Sequence, residues 1–277
     1  MSSATGISWT WNATFPAGRR LAASSGPSVV DLEHSRYFLT EWMPPLLQQT
    51  AEQSPPRVLA DLGAGDGGTL FPLDRAGLVG EVIYAVDISE MHVTWCQALT
   101  PKVRGIVSDV AHVDELADES VDAVVSSQVI EHLPDDRALA PEIARILRPG
   151  GWFYVSSVIR GPHAFWMYKG KPPAPERWQL DPTHMREYET EEQFRSVLEH
   201  PELRFDVVRA SQLKAPLTDL VFRVGALAHV IKRERLPELY LNLPGWVTRA
   251  RRATGVPIPG YRWVEAAGVK ATADRAG

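Results

Sequence analysis

Residues 58–68 read Val-Leu-Ala-Asp-Leu-Gly-Ala-Gly-Asp-Gly-Gly, an apolar run that passes directly into a glycine-rich turn. The apolar part predicts a buried β-strand, because buried strands are short, continuous hydrophobic runs bounded by turn residues. The glycines permit backbone angles that other residues avoid, and they let a ligand approach the main chain closely. Taken alone, the pattern fits either a nucleotide-binding turn or a merely flexible one, so its surroundings have to decide between them.

Downstream of this turn, short apolar runs alternate with helical stretches. Such alternation is typical of a parallel sheet that is covered by helices on both faces, and it predicts the α/β class. The clearest helix is 138–147, which the sequence Arg-Pro-Gly-Gly at 148–151 is expected to end. The predicted strands are 57–62, 82–87, 103–108, 121–126, 151–157, 204–210 and 261–270.

The chain is long for one domain, but a single α/β core with elaborations accounts for its 277 residues. A helical pattern at 31–52 is interrupted by Pro44-Pro45, and a further helix is expected later in the chain, at 191–198. We therefore predict three parts. They are an N-terminal arm and lead helix (1–54), a core (55–213 and 258–277) that contains a Pro-rich and aromatic active-site loop (159–190), and a helical cap insertion (214–257).

Composition narrows the classes of protein to consider. The 29 basic and 34 acidic residues give a net charge of −5, whereas proteins that grip nucleic acid through phosphates usually carry a basic excess. The single cysteine, Cys96, rules out an intramolecular disulfide and fits a reducing compartment. No signal-peptide pattern and no long uninterrupted apolar run are present. We expect a cytoplasmic protein that binds neither nucleic acid nor membrane.

An acidic residue follows the glycine turn at an informative distance. Asp87 ends the next predicted strand, about twenty residues beyond the glycines. A carboxylate at this place accepts hydrogen bonds from a ribose diol in nucleotide-binding βαβ units, although it also suits the N-cap of the following helix. At this stage NAD and S-adenosylmethionine (SAM) both fit the pattern.

Three later segments separate these two cofactors. The third strand ends in Ser108-Asp109-Val110, the fourth leads into Ser-Ser-Gln-Val-Ile-Glu-His-Leu-Pro-Asp at 126–135, and Leu-Arg-Pro-Gly-Gly at 147–151 precedes the fifth. Over residues 57–157 this ordered series resembles the class I SAM-dependent methyltransferases. The resemblance implies a Rossmann-like, doubly wound sheet of seven strands, mostly parallel, with the last strand antiparallel. It also implies SAM as cofactor and S-adenosylhomocysteine as product.

The resemblance assigns expected roles to particular residues. Asp87 falls at the position that binds the ribose, with Ile88 beside the adenine, and Asp109 falls where an acid meets the adenine amino group, followed by Val110. Gln128 falls near the methionine portion and the methyl group. The turn residues expected beside the amino-acid part and sugar of SAM are Asp61, Gly63, Ala64 and Gly65.

Methyl transfer is an in-line displacement, which depends on positioning and on a nucleophile that has lost its proton. His184 is our first candidate for the base, with Asp181 as the residue that orients it. His132 is the second candidate, because it follows the fourth strand at the edge where such sheets place their sites. Both have structural alternatives, since Asp181 and Thr183 suit a helix-entry turn and His132 belongs to a motif that also serves as a turn covering the cofactor.

Glu131, His132 and His184 also form a candidate metal set. The pattern is similar to that of the ubiquinone-pathway O-methyltransferases and the small-RNA ribose methyltransferases, in which acids and histidines after the fourth strand hold a metal. This chain departs from both, because Ser127 and Gln128 stand where a further acid is expected. Since Mg²⁺ prefers several oxygen ligands, we expect no metal and keep Mg²⁺ as the less favoured alternative.

Three functions remain open from the sequence. The favoured one is O-methylation of a small-molecule hydroxyl, on a sugar or another natural product. The second is N- or C-methylation of a small molecule, for which a strong base is unnecessary, and the third is a non-catalytic SAM-binding module. A homodimer is a further alternative, because the aromatic N-terminal arm has the composition to close over a neighbouring subunit.

Overall fold

The computed structural model describes residues 43–165, 168–169, 178–180, 183–216, 225, 228, 230 and 254–272. The predicted arm before residue 43 and Asp181 lie outside the described residues. So do most of the predicted active-site loop between 166 and 182 and nearly all of the predicted cap.

The described chain alternates strands and helices up to residue 160. The helices are α1 (Pro45–Gln53), α2 (Leu70–Arg75), α3 (Glu90–Leu99), α4 (Leu139–Ile146) and α5 (Glu191–Val197), with short 3₁₀ turns at Ile130–His132 and Asp136–Ala138. The strands are β1 (Val58–Leu62), β2 (Val82–Asp87), β3 (Val103–Val107), β4 (Val121–Ser127), β5 (Leu147–Arg160), β6 (Tyr168–Lys169), β7 (Trp178–Gln179), β8 (Leu203–Pro216) and β9 (Gly255–Lys270). The short β6 and β7 pair with each other, apart from the main sheet.

The main sheet has seven strands in the order β3-β2-β1-β4-β5-β9-β8. The first five strands pair in parallel, and β9 lies antiparallel between β5 and β8. The prediction of a Rossmann-like, mostly parallel seven-stranded sheet with an antiparallel last strand is confirmed. In such a sheet the carboxyl ends of β1 to β5 lie along one edge, where α/β proteins place their binding sites.

Strand ends in the second half of the sheet differ from those predicted. β5 begins at Leu147 rather than at 151, so residues 148–151 belong to the strand instead of a separating turn. Its first pair, with Val121, precedes a shift of register, and Gly150 adopts a φ of +79° there. β8 and β9 both continue into the segment predicted as cap, where Pro216 pairs with Gly255. The two strands extend further than predicted because each supplies hydrogen-bond partners for the backbone N–H and C=O groups of the other.

Both faces of the sheet are buried, as the continuous apolar strands predicted. Val124 of β4 packs on the side of α4 and α5, with Ile143 and Phe194, in one hydrophobic cluster. Val125 faces the opposite side and joins a cluster that contains Leu47 of α1, together with Leu70, Leu73 and Cys96. Among the described helices, none combines the length and the apolar character that a membrane crossing needs.

Candidate active site

The glycine turn after β1 folds back onto the end of β2. The amides of Gly63 and Ala64 both donate to the carbonyl of Val86, at 2.8 and 2.9 Å. Gly63, Gly65 and Gly67 all have positive φ angles, of +81°, +54° and +88°. Since side-chain residues rarely adopt such angles, glycine is required for this path of the chain. The turn is thereby held against the strand that carries Asp87.

Asp87 joins the end of β2 to the turn. Its Oδ2 accepts the amide hydrogen of Gly65 at 2.9 Å, while Oδ1 accepts that of Ser89 at 2.8 Å and lies 3.1 Å from Nδ1 of His92. Burial acts to raise the pKa of Asp87, but the hydrogen bonds from His92 and Ser89 outweigh it, so the pKa lies below its usual value. An ionised acceptor is therefore held beside the turn, as a ribose site requires.

Asp61 is a buried carboxylate whose hydrogen bonding is incomplete. The residue is 1% exposed, and its Oδ2 has no hydrogen-bond partner within the described part of the chain. Burial, followed by the charge of Asp87, raises its pKa from 3.8 to about 7. The buried Nε2 of Gln128 also lacks a partner there. Buried groups of this kind are normally satisfied, so an unpaired oxygen near the end of β1 and an unpaired donor after the adjacent β4 fit a polar ligand.

The remaining predicted cofactor residues follow β2 and β3, which are neighbours in the sheet. Ile88 is 78% exposed although it is a large apolar residue, whereas Val110 is buried. The side chain of Asp109 accepts the amide hydrogen of Ala111 at 2.9 Å. An Asp side chain commonly makes this hydrogen bond to the backbone two residues further on in a turn. Ile88 thus offers an uncovered apolar surface at the edge of the sheet that carries Asp87.

Cys96 lies beneath the turn, and its Sγ is 3.4 Å from the carbonyl oxygen of Gly65. Burial, together with the nearby charge of Asp61, raises the pKa of this thiol. Because the thiolate is the reactive form, we expect native Cys96 to resist iodoacetamide at pH 8 and to react fully in denaturant. Intact-mass measurement distinguishes the two states. Rapid labelling of the native protein would contradict the buried position of Cys96.

A second cluster surrounds Glu131, in the 3₁₀ turn that follows β4. Its side chain is fully buried; Oε2 accepts the hydroxyl hydrogen of Ser157 at 2.8 Å, and Oε1 has no hydrogen-bond partner in the described structure. Its backbone carbonyl accepts the amide hydrogens of Met185 and Arg186, at 2.8 and 3.3 Å. The segment 183–188 is therefore docked onto the turn after β4.

Arg186 reinforces this docking. Its guanidinium donates to the carbonyls of Leu133 and Pro134, at 2.5 and 2.7 Å, and Nε lies 3.4 Å from a carboxylate oxygen of Asp136. The hydroxyl of Tyr188 donates to the same oxygen of Asp136 at 3.1 Å. These contacts hold the two loops together as one unit, although they are separated by about fifty residues in sequence.

This unit places the two predicted bases side by side. His184 is 4% exposed, and its ring meets that of His132 edge to face, with 4.9 Å between centroids. Nδ1 of His184 lies 2.8 Å from Oε1 of Glu187, and its Nε2 lies 3.9 Å from Oε1 of Glu131. Nδ1 of the half-buried His132 is 3.1 Å from the Thr183 hydroxyl.

Comparison with known proteins bears on the fold and on residues 60–155. Residues 60–155 match a family described as a methyltransferase domain. A probable SAM-dependent methyltransferase of Mycobacterium tuberculosis is 32% identical over 133 residues, which are 48% of this chain and 47% of that protein. The chain contains a class I SAM-dependent methyltransferase domain.

Two further proteins extend the comparison of the methyltransferase domain. A ubiquinone biosynthesis O-methyltransferase of Paracidovorax citrulli is 29% identical over 108 residues, 39% of this chain and 42% of that protein. The crystal structure of YcgJ from Bacillus subtilis superposes with a TM-score of 0.55 at 19% identity, covering 82% of this chain and 97% of that one. The chain spans about half the length of the curated relatives it matches.

The three candidate metal ligands do lie together in the structure, although His184 lies beyond the residues 60–155 that match the methyltransferase domain. Glu131, His132 and His184 bring one ligand atom each to within 4.8 Å of one another. This donor set has one carboxylate and two imidazoles, whereas Mg²⁺ prefers oxygen ligands and imidazole suits zinc and similar transition metals. The residues therefore fit a transition metal better than they fit Mg²⁺.

Two partners of the site were missed by the sequence reasoning. His92 contacts Asp87, and Glu187 contacts His184, whereas Asp181, the predicted partner of His184, lies outside the described residues. The spacing of three residues between His184 and Glu187 was a usable signal for a contact within one turn. The signal for His92 was its position in the first turn of α3, just after the Ser89 N-cap.

Proposed function

We propose that this chain is a SAM-dependent methyltransferase that methylates the hydroxyl of a small molecule, with His184 as the base. One observation carries the proposal, which is the placement of these groups on adjacent strands of one sheet. The glycine turn follows β1, where Oδ2 of Asp61 is unpaired within the described residues, and β4 is followed by Gln128 and by the turn onto which the His184 segment is docked. The 29% identity to a ubiquinone biosynthesis O-methyltransferase supports oxygen as the acceptor atom. The substrate class, a sugar or other natural product, is part of the same proposal.

The chain supplies a group for each part of SAM. The carboxylate of Asp87 accepts hydrogen bonds from the ribose hydroxyls, and the exposed face of Ile88, with Val110 and Asp109 nearby, receives the adenine. Asp61 and Gln128 face the amino-acid portion, where the ammonium complements the unpaired carboxylate oxygen of Asp61. Glycine at positions 63 and 65, with Ala64 between them, leaves room for this approach. The bound cofactor supplies an electrophilic methyl group on a sulfonium.

His184 provides the proton acceptor in this proposal. The acceptor hydroxyl gives its proton to the imidazole while its oxygen forms a bond to the methyl carbon. SAM, held by the residues named above, would supply the methyl group to that oxygen, and S-adenosylhomocysteine would be the product. Because His184 is 4% exposed, bulk water is kept from competing for the proton. His132, whose ring packs against that of His184, is the second candidate base.

The raised pKa of Asp61 predicts that SAM binding depends on pH. In the free protein the carboxyl group is half protonated near pH 7, and only the ionised form complements the ammonium and sulfonium charges. Low pH therefore weakens binding, because the proton must leave first. We expect SAM affinity to rise roughly tenfold between pH 5.5 and 7, measured by calorimetry.

Asp61→Asn is the control, since its affinity for SAM should not change over this pH range. The same variant has a second readout without ligand. A carboxyl group whose pKa is higher in the folded than in the unfolded state destabilises the folded protein as pH increases from about 4 through 7, because the folded protein must then hold an unfavourable buried charge. Asp61→Asn should therefore unfold at a higher temperature than the parent protein at pH 8, with the difference vanishing near pH 4. A pH-independent SAM affinity in the parent protein would contradict the assignment of Asp61.

Calorimetry and mass spectrometry test the function itself. The protein should bind SAM or S-adenosylhomocysteine, and should produce the latter with one member of a panel of hydroxylated sugars and aromatic natural products. Uptake of NADH instead of SAM would overturn the proposal. Transfer that is insensitive to pH through the histidine range would favour N- or C-methylation. Binding of SAM without turnover across a broad panel would favour a non-catalytic SAM-binding module.

A metal-assisted variant of the reaction is favoured by one observation, the convergence of Glu131, His132 and His184. An ion held there would acidify the acceptor hydroxyl. Turnover that is lost after dialysis against a chelator and restored by Zn²⁺ or Mn²⁺ would replace the metal-free proposal. Restoration by Mg²⁺ alone would contradict the preference that we derive from the two imidazole donors.

The compartment, the metabolic role and the partners are also proposals. We place the protein in the cytoplasm, in natural-product biosynthesis, with a small-molecule acceptor as its partner and no nucleic acid or membrane. The segments 159–190 and 214–257 would form the loop and cap over the acceptor. The arm at 1–54 would contribute to closing the site or to a homodimer, which the molar mass in solution tests.

A further inference from the structure

We propose that His92 is a specificity-determining residue of the cofactor site, because it limits Asp87 to one of the two ribose hydroxyls of SAM. This inference rests on the ribose contact in the proposed function and narrows that contact from two hydroxyls to one. It depends on how many hydrogen bonds the Asp87 carboxylate already accepts within the protein.

Three protein donors bind the carboxylate of Asp87. Oδ1 accepts the amide hydrogen of Ser89 at 2.8 Å and lies 3.1 Å from Nδ1 of His92, while Oδ2 accepts the amide hydrogen of Gly65 at 2.9 Å. Burial acts to raise the pKa of Asp87, but the hydrogen bonds from His92 and Ser89 outweigh it, so the carboxylate is ionised at neutral pH. Because an ionised carboxylate only accepts hydrogen bonds, Nδ1 of His92 carries the hydrogen.

One acceptor position of this carboxylate remains for a ligand. The two oxygens of a carboxylate together offer about four lone-pair positions, two on each oxygen. Ser89 and His92 occupy both positions of Oδ1, whereas Oδ2 holds a single donor, the amide of Gly65. The side chain of Asp87 is 12% exposed, which leaves part of it open to a ligand. Oδ2 therefore has room for one ribose hydroxyl, and Oδ1 has room for none.

The two donors on Oδ1 belong to the start of α3 and are held there. Ser89 is the N-cap of α3, and its Oγ accepts the amide hydrogen of His92 at 3.4 Å. The ring of His92 lies beside that of Trp95, with 5.8 Å between centroids. A second hydroxyl reaches Oδ1 of Asp87 only if the His92 ring turns away from this position, since the Ser89 amide is fixed by the backbone. His92 thus decides how many hydroxyls Asp87 accepts.

A crystal structure of the unaltered protein with S-adenosylhomocysteine tests the count directly. We expect one ribose hydroxyl oxygen within about 3.2 Å of Oδ2 of Asp87, and the other beyond about 3.5 Å from both carboxylate oxygens. Nδ1 of His92 and the amide of Ser89 should remain on Oδ1. Two hydroxyls bound to the carboxylate, or a His92 ring displaced from Oδ1, would overturn the inference.

Calorimetry with the 2′-deoxy and 3′-deoxy forms of S-adenosylhomocysteine measures the asymmetry in solution. Loss of the hydroxyl that binds Asp87 should weaken binding by roughly 10- to 100-fold, the range for a hydrogen bond to a charged group. Asp87→Asn should reduce this penalty by roughly fivefold or more, and should leave the penalty for the other hydroxyl within about twofold. Penalties that change equally for both hydroxyls would contradict the inference.

Variants of His92 test its own part. His92→Phe removes the donor but retains a ring beside Trp95, so Oδ1 of Asp87 gains an open position and the penalty for losing the other hydroxyl should rise roughly fivefold or more. His92→Asn supplies an amide donor and should return this penalty toward that of the unaltered protein. Thr94→Val is the matched control and should change neither penalty, since Thr94 lies on the same helix and its hydroxyl donates to the Glu90 carbonyl at 2.8 Å. An unchanged penalty in well-folded His92→Phe would count against the role of His92.

The outcomes separate this inference from the proposed function. If S-adenosylhomocysteine does not bind, both fail. If it binds and both hydroxyls contact Asp87, the role of His92 fails and the proposed function stands. The crystal structure needs no variant, so it decides the count even if Asp87→Asn or His92→Phe does not fold.

Discussion

His184→Gln is expected to lower kcat by roughly 10²- to 10⁴-fold, the usual contribution of a positioned general base. The amide of Gln can occupy much of the imidazole volume, but it takes up no proton at neutral pH. SAM affinity should remain within about twofold, because the predicted cofactor residues belong to the turn and strand ends of β1 to β4. Turnover is measured as S-adenosylhomocysteine formed, and affinity by calorimetry.

His112→Gln is the matched control, since His112 is an exposed histidine that contacts Asp114 and Glu142 away from this cluster. It should leave both quantities unchanged. His132→Gln should cost less turnover than His184→Gln if His184 is the base. Equal losses of turnover and SAM affinity in His184→Gln would point to a structural role, and a larger loss in His132→Gln would transfer the role of base to His132.

The second large effect is expected at the ribose site, where Asp87→Asn should weaken SAM binding about 100-fold. The substitution removes the charge from the acceptor that we propose for the ribose hydroxyls, and hydrogen bonds to charged groups contribute about 1.5 to 3 kcal/mol each. It also weakens the contacts with the Gly65 amide and with His92, which hold the turn in place. Calorimetric titration with S-adenosylhomocysteine measures the loss without turnover.

Asp118→Asn serves as the comparison, because Asp118 is an exposed carboxylate in the loop before β4 and is paired with Arg145 of α4. Its cofactor affinity should equal that of the parent protein. A similar loss in both variants would indicate a general effect of charge. An Asp87→Asn protein that binds S-adenosylhomocysteine normally would remove Asp87 from the cofactor site.

The sequence allowed the first four strands to be predicted to within one residue at each end. Each is a short run bounded by turn residues, so its signal is local. β1, β2 and β4 are largely buried, whereas the edge strand β3 exposes Arg104 and Val107. β5, β8 and β9 were predicted too short, because their outer parts depend on pairing with distant segments. The start of β5 pairs with Val121 of β4, the end of β5 pairs with β9, and β8 pairs with β9. The pairing of Pro216 with Gly255 joins residues 39 positions apart, and no local pattern encodes such a partner.

The candidate site likewise has residues that the sequence identified and contacts that only the structure revealed. The sequence by itself determined the glycine turn and Asp87, and it singled out Glu131, His132 and His184, because their residue types and spacing carry the chemistry. It named Asp181 as the partner of His184 and missed Glu187, although each stands three residues away from His184. The tertiary structure places the carboxylate of Glu187 beside His184 and holds it there through Arg160 and Tyr261, which the antiparallel pairing of β5 and β9 brings together.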